Sequence, residues 1–305
     1  MSDPSASHLY TLSGEPAPPS PVLVVAVDGW VDAGMAGSTA LTGLLESVET
    51  RLYATFDGEQ LIDQRARRPR LLIANGMNEG LTWPEPTIRV GVDRLGSGIA
   101  LLSGPEPDFG WRGFAAAVTE VALGMGSRLM VGLGGFPAAA PHTRPIRLAS
   151  TATTPELASQ IGFISGAIEV PAGIEAVLEL ELAKAGIPAI GLWARVPHYV
   201  AAMPFPAAAV ALLDALASLS GLVIDSDVLA EAAEAARSKV DELIGQSSEH
   251  LAMVRQLERG IDELEGEPSA GLDDMRAISG DEIAAELERY LRGESGDPGA
   301  PGGPE

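Results

Sequence analysis

Pro21-Val22-Leu23-Val24-Val25-Ala26-Val27, followed by Asp28-Gly29-Trp30-Val31-Asp32-Ala33-Gly34, is the stretch that decides the fold. The apolar run from Val22 to Val27 is too short for a buried helix and rich in β-branched side chains, so it predicts a strand covered on both faces. The Asp/Gly segment breaks that strand, and a helical spacing of apolar residues then continues to about Val48. The unit is β-loop-α. Its loop stands at the carboxyl end of a buried strand, where α/β proteins usually bind ligands.

Working outward, strand-like runs occupy 51–56, 70–74, 87–93, 99–103, 128–133, 147–152 and 187–194, the second and third of these flanking a Gly/Pro loop. Helical spacing covers 111–125, 173–185 and 205–219. The alternation predicts a layered α/β fold with a mixed, mainly parallel sheet. After Gly221 the pattern is only helical. Ser226 is placed to cap one helix, a second apolar stripe runs from Leu251 to Leu264, and Ser279 with Glu282 forms a capping box for a last helix bearing Ile283, Leu287 and Tyr290. The expected organisation is a flexible leader at 1–20, an α/β core at 21–222, an acidic helical extension at 223–292 and a disordered tail at 293–305.

Composition excludes several function classes. A chain of 305 residues with 46% apolar content buries a substantial core and is not disordered throughout. Its net charge of −22 opposes nucleic acid and anionic membrane surfaces. The charge is uneven: residues 225–305 hold 21 of the 42 acidic residues but only 7 of the 20 basic ones. With no cysteine there is no disulfide, thiolate metal site or cysteine nucleophile. The first Lys or Arg is Arg51, and the most apolar stretch, 201–224, is interrupted by Pro204, Pro206 and Asp214, so a cytoplasmic chain without a membrane span is expected.

The two lysines, Lys184 and Lys239, follow no phosphate-cradling glycine loop. The loop after the first strand carries acids and a tryptophan where a dinucleotide would need bare backbone, and neither a serine nucleophile elbow nor a His-Glu-x-x-His helix occurs. No cofactor and no metal is expected. Three loops remain as candidates. Asp28, Trp30 and Asp32 follow the first strand; His142 and Arg144 sit between prolines in Pro141-His-Thr-Arg-Pro145, a polar pair suited to an anion, a carboxylate or a partner's acidic edge; His198 and Tyr199 follow a late strand. If the strands run the same way, Asp28, His142, Arg144 and His198 converge on one crevice as an acid/base and anion-binding cluster. The alternative has Asp28 or Asp32 capping the next helix, Trp30 sealing the sheet, and each histidine tying down its own proline-rich turn. Glu175, Glu179 and Glu181 read as a solvated helix face.

Five motifs in the same order resemble the proteasome assembly chaperone type-two family, in its long form with a C-terminal helical extension. They are Asp28-Gly-Trp-Val-Asp-Ala-Gly34, Thr55-Phe-Asp-Gly-Glu59 with Arg67-Arg-Pro69, Ser103-Gly-Pro-Glu-Pro-Asp108 with Trp111, Pro141-His-Thr-Arg-Pro145, and Val196-Pro-His-Tyr-Val200. The resemblance implies a three-layer α/β/α core like that of nucleoside phosphorylases and hydrolases, assembly into a homo-oligomer, with a trimer favoured, and proteasome core-particle subunits as partners. Proteasome-binding relatives use a C-terminal hydrophobic-tyrosine-any motif; here the nearest match, Arg289-Tyr-Leu291, is internal. The function expected is a non-enzymatic assembly chaperone or capping protein, with the acidic helices as partner-binding element. The alternative is a protein or enzyme binding a nucleoside-like or carboxylate ligand at the strand carboxyl ends.

Overall fold

The strand at the centre of the sheet is the one that opens the sequence argument, because only a run apolar on both sides tolerates helices above and below it. The computed structural model describes residues 6–29, 31–163 and 166–266. In chain order the elements are β1 (Tyr10–Leu12), β2 (Val22–Asp28), α1 (Ala36–Ser47), β3 (Thr50–Phe56), α2 (Gly58–Leu61), β4 (Arg70–Ala74), β5 (Met77–Thr82), β6 (Thr87–Val92), β7 (Gly98–Pro105), α3 (Trp111–Met125), β8 (Leu129–Ala138), β9 (Leu148–Ala152), α4 (Pro155–Ile161), α5 (Ile174–Lys184), β10 (Ala189–Pro197), α6 (Pro206–Ser220), α7 (Asp227–Gly245) and α8 (Ser248–Gly266).

Eight strands form one sheet in the order β1-β3-β6-β7-β2-β8-β10-β9. The centre is parallel, β7 with β2, β2 with β8, and β8 with β10. Both flanks are antiparallel, β1-β3-β6-β7 on one side and β9 on the other. The sheet is therefore mixed, but parallel only at its core: short turns such as that between β6 and β7 permit only antiparallel return, while parallel pairing requires the long crossovers that α1, α3 and α5 supply.

Alternation along the central strands divides the core in two. Val22, Val24 and Ala26 face α1 and α6, together with Leu101, Val131 and Leu192. Leu23 and Val25 face α3 and α5, together with Leu102, Phe114 and Met130. Three layers result. Val240 and Ile244 of α7 and Val254 of α8 join the first of these clusters, so the C-terminal helices cover apolar surface of their own chain. Among the described residues no helix is long and apolar enough to cross a membrane.

Several expectations are revised. Residues 10–12, read as part of a flexible leader, form edge strand β1, paired in register Tyr10 to Phe56, with Leu9 buried beside it. Ser226 makes no side-chain cap; the Asp225 carboxylate accepts from Asp227 N–H at 3.2 Å instead. The Gly/Pro loop after residue 74 contains β5, which closes a hairpin with β4. Asn75 and Gly76, with φ of 51° and 82°, make the two-residue turn, in which both positions must enter the left-handed region. Among the described residues this hairpin pairs with no other strand, and Leu72, Ile73, Met77 and Trp83 are exposed. The expected last helix with Ile283, Leu287 and Tyr290, the Arg289-Tyr-Leu291 segment and the tail lie outside the described residues.

Candidate functional site

The parallel strands β2, β8 and β10 end together, and the loop after β2 is built on that edge. Asp32 bridges to Gly135 of β8. Its carboxylate accepts from the backbone N–H groups of Gly37 (2.7 Å) and Ser38 (3.0 Å) and from the Ser38 hydroxyl (2.7 Å), so it satisfies the free donors of the first turn of α1. Gly34 N–H donates to the Ala201 carbonyl at 2.7 Å, and Phe205 N–H to the Gly34 carbonyl at 2.8 Å. Gly34 holds φ 66°, and a Cβ there would lie 3.0 Å from Cβ of Phe205, so both conformation and space call for glycine. Trp30 lies outside the described residues.

On the α5 side of the sheet, Gly132 of β8 and Gly191 of β10 are register partners. Two neighbouring glycines leave a bare patch of sheet. Glu175 and Glu179, four apart on α5, fill it: a Cβ on Gly132 would come within 3.0 Å of Glu175 Oε2, and one on Gly191 within 2.5 Å of Glu179 Oε1. Both side chains are buried, at 8% and 5% exposure. The solvated face expected for Glu175 and Glu179 is thus corrected. They follow Ile174 and Leu178 by one residue each, so the acidic pair turns inward with the apolar stripe. Glu179 accepts from the Thr151 hydroxyl at 3.1 Å, which itself accepts from Trp193 Nε1–H at 3.1 Å. Glu106, after β7, accepts from Ile174 N–H at 2.7 Å and so holds the start of α5. Glu175 Oε2 is buried and has no hydrogen-bond partner among the described residues.

These groups border a cavity of about 740 Å³, whose wall includes Asp28, Asp32 and Glu106 beside Glu175 and Glu179, and apolar side chains such as Phe136, Val170 and Trp193. Burial raises the Glu175 carboxyl well above its ordinary range, and the charges of Glu179, Asp32 and Glu106 push the same way. Burial pushes Glu179 up to about 7, opposed by the hydrogen bond from Thr151. Asp28 is raised by burial and by Asp32, with Arg67 pulling it down. Such a cavity holds protons or attracts cations and turns a carboxylate ligand away. Among the described residues no group of three or more His, Asp or Glu is arranged to hold a metal ion.

His142, Arg144, His198 and Tyr199 do not line this cavity. Strand direction does bring their loops to the same edge of the sheet, since β8 and β10 are parallel, but the side chains of His142 and Arg144 meet the C-terminal helices instead. The Tyr199 hydroxyl accepts from His142 N–H at 2.8 Å and stands 2.7 Å from His142 Nδ1. Burial, aided by Glu258 and Asp241 against the His142 N–H bond, pushes the Tyr199 phenol up to about 12. The hydroxyl therefore keeps its proton; in the tautomer whose Nδ1 accepts that proton, Nε2–H donates to Asp241 of α7 at 3.0 Å. Thr143 Oγ1 donates to Glu258 of α8 at 2.5 Å, and Arg144 forks onto Asp262 through Nε (2.9 Å) and Nη2 (2.7 Å). His198 is exposed, its ring edge-on to Tyr199 at 5.3 Å. The carboxylates expected at the proline-flanked loop are the chain's own.

The clamp carries a prediction. Arg144→Ala removes an exposed ion pair, a weak contributor to overall stability, and speeds amide hydrogen exchange across α8 by about threefold with little effect elsewhere. His142 is 3% exposed, so His142→Ala strands the Tyr199 hydroxyl in the interior and lowers overall stability by about 1–3 kcal/mol. Unchanged α8 exchange in both variants would remove the clamp from consideration.

Comparison with known proteins adds relatives to this geometry. The model of the PAC2 family matches residues 26–244. A Mycobacterium tuberculosis protein of unknown function is similar at 33% identity and TM-score 0.82, over 95% of this chain and 98% of its own. A PAC2 family protein from Streptomyces avermitilis is similar at 34% identity and TM-score 0.69, over 77% and 99%. A proteasome-assembly chaperone homologue from Mycobacterium tuberculosis is similar at 32% identity and TM-score 0.71, over 76% and 99%. No curated protein matches the chain in sequence.

Proposed function

The chain belongs to the PAC2 family, and from this membership we propose that it is a non-enzymatic, protein-binding factor of proteasome assembly that works as a homo-oligomer. Similarity to a proteasome-assembly chaperone homologue supports the first half of this reading. The observation that carries the reading as a whole is the β4–β5 hairpin. A lone two-stranded sheet is at best marginally stable in water. This one nevertheless presents Leu72 (63% exposed), Ile73 (59%) and Met77 (62%) to solvent, beside Trp83. Large apolar side chains exposed together on one hairpin mark a contact with another chain.

The hairpin is entered through Arg68 and Arg70, cationic residues in a chain of net charge −22, so the acidic surface of a second copy is its complement. The α/β core then serves as the platform on which core-particle subunits are held. In mass photometry the wild type is expected as an oligomer, and Leu72→Glu with Met77→Glu as a monomer of unchanged circular dichroism. Native-gel assembly with the cognate core-particle subunits is expected to show association with the oligomer and a changed rate of assembly. Neither association nor any change in assembly would overturn the proteasome reading, and a monomeric wild type would overturn the oligomer.

A further inference from the structure

We propose that the cavity between the β2 loop, α5 and the carboxyl ends of β8 and β10 binds an organic cation: a primary ammonium or guanidinium group carried on an apolar body. Glu175 carries the argument. A buried acceptor without a partner costs about 1–3 kcal/mol, and more when charged, yet here the whole neighbourhood maintains one. Gly132 gives up its side chain to make room for Glu175 Oε2, and Glu106 anchors the turn of α5 from which Glu175 projects. An ammonium or guanidinium N–H supplies the missing donor and the countercharge together.

The wall selects further. None of the described lining residues is Lys, Arg or His, while Asp28, Asp32, Glu106, Glu169, Glu175 and Glu179 all border the space. An anionic ligand therefore meets only repulsion. A bare divalent ion meets no coordinating trio among the described residues, and much of the remaining wall is apolar, including Val31, Phe136, Ile168 and Trp193. Charge at one end and apolar contact along the rest is the pattern of a small-molecule site, and about 740 Å³ lies within the usual size range for one.

Hexylamine, protonated at neutral pH, is a suitable probe, with hexanol, hexanoate and magnesium chloride as comparisons, measured by calorimetric titration and thermal shift on the full-length chain. Saturable binding of hexylamine alone is expected, weakened at least about tenfold in Glu175→Gln. Binding tightens as pH rises through about 7, where Glu179 gives up its proton, beside the other carboxyls that face it across the cavity, Glu175 of α5, Asp28 and Asp32 around the β2 loop, Glu106 after β7 and Glu169. Glu179→Gln provides a second variant should Glu175→Gln not fold, and is expected to weaken binding in the same direction. No binding of hexylamine, equal binding of hexanol or hexanoate, preference for magnesium, or unchanged affinity in both variants would each overturn the assignment. These titrations use the isolated protein, so their failure leaves proteasome association standing, and the reverse holds too.

Discussion

Glu179→Gln is expected to stabilise the protein by about 3 kcal/mol at about pH 8, and by less than about 1 kcal/mol at about pH 5. In the folded chain the carboxyl titrates at about 7 against an ordinary value of 4.5. Between those two values the folded state holds a proton that the unfolded state has released, so stability falls as pH rises through the window and the loss is complete above it. Glutamine is neutral throughout, keeps the shape, and retains an oxygen to accept from Thr151. Its advantage therefore grows with pH. Urea unfolding of both proteins across the range, at equal m-values, measures this difference directly. A difference independent of pH, or a destabilised variant at both ends, would mean that the carboxylate is hydrated or paired. Glu175→Gln moves in the same direction.

Gly37→Ala is expected to destabilise by about 3 kcal/mol or more, at the upper end of overpacking costs. Gly37 lies on the buried side of α1, and a Cβ there would collide with the Leu133 carbonyl oxygen of β8. Neither is the tip of a flexible side chain, so helix and strand must part, and the bond from Gly37 N–H to Asp32 goes with them. The control is Gly124→Ala, a glycine on the exposed face of α3 with open space around its missing Cβ. That change is expected to stabilise by about 0.5–1 kcal/mol, the usual helix gain of alanine over glycine. If both substitutions shift the unfolding midpoint equally, the close approach of α1 to β8 is not what fixes Gly37.

The parts legible in the sequence are those whose environment is written locally. The run from Val22 to Val27 is apolar because both its faces are covered, and 111–125 is helical in pattern and in fact, ending at Gly126 with φ 66°. The acidic cavity is not local. A glutamate on a helix announces solvent unless something across from it is missing, and what is missing here lies on two other strands at Gly132 and Gly191. The available signal was the one-residue offset between Glu175, Glu179 and the stripe Ile174, Leu178, Leu182. The proline-flanked loop was legible as a seeker of carboxylates, but its partners Asp241, Glu258 and Asp262 follow about a hundred residues later. Pairing over that distance is set by how α7 packs on α6 and α8 returns along α7, which no local pattern encodes.

The bare strand patch beneath α5 also constrains how this sequence can drift. A Cβ at Gly191 would meet Glu179 Oε1 at 2.5 Å, Thr151 Oγ1 at 2.7 Å and Trp193 Nε1 at 3.0 Å, and one at Gly132 would meet Glu175 Oε2 at 3.0 Å, so a substitution at either glycine forces the side chains above it aside. The glycines and the side chains above them are therefore epistatic: a larger residue at position 191 needs Glu179, Thr151 and Trp193 all to yield, so relief at the glutamate alone does not admit it.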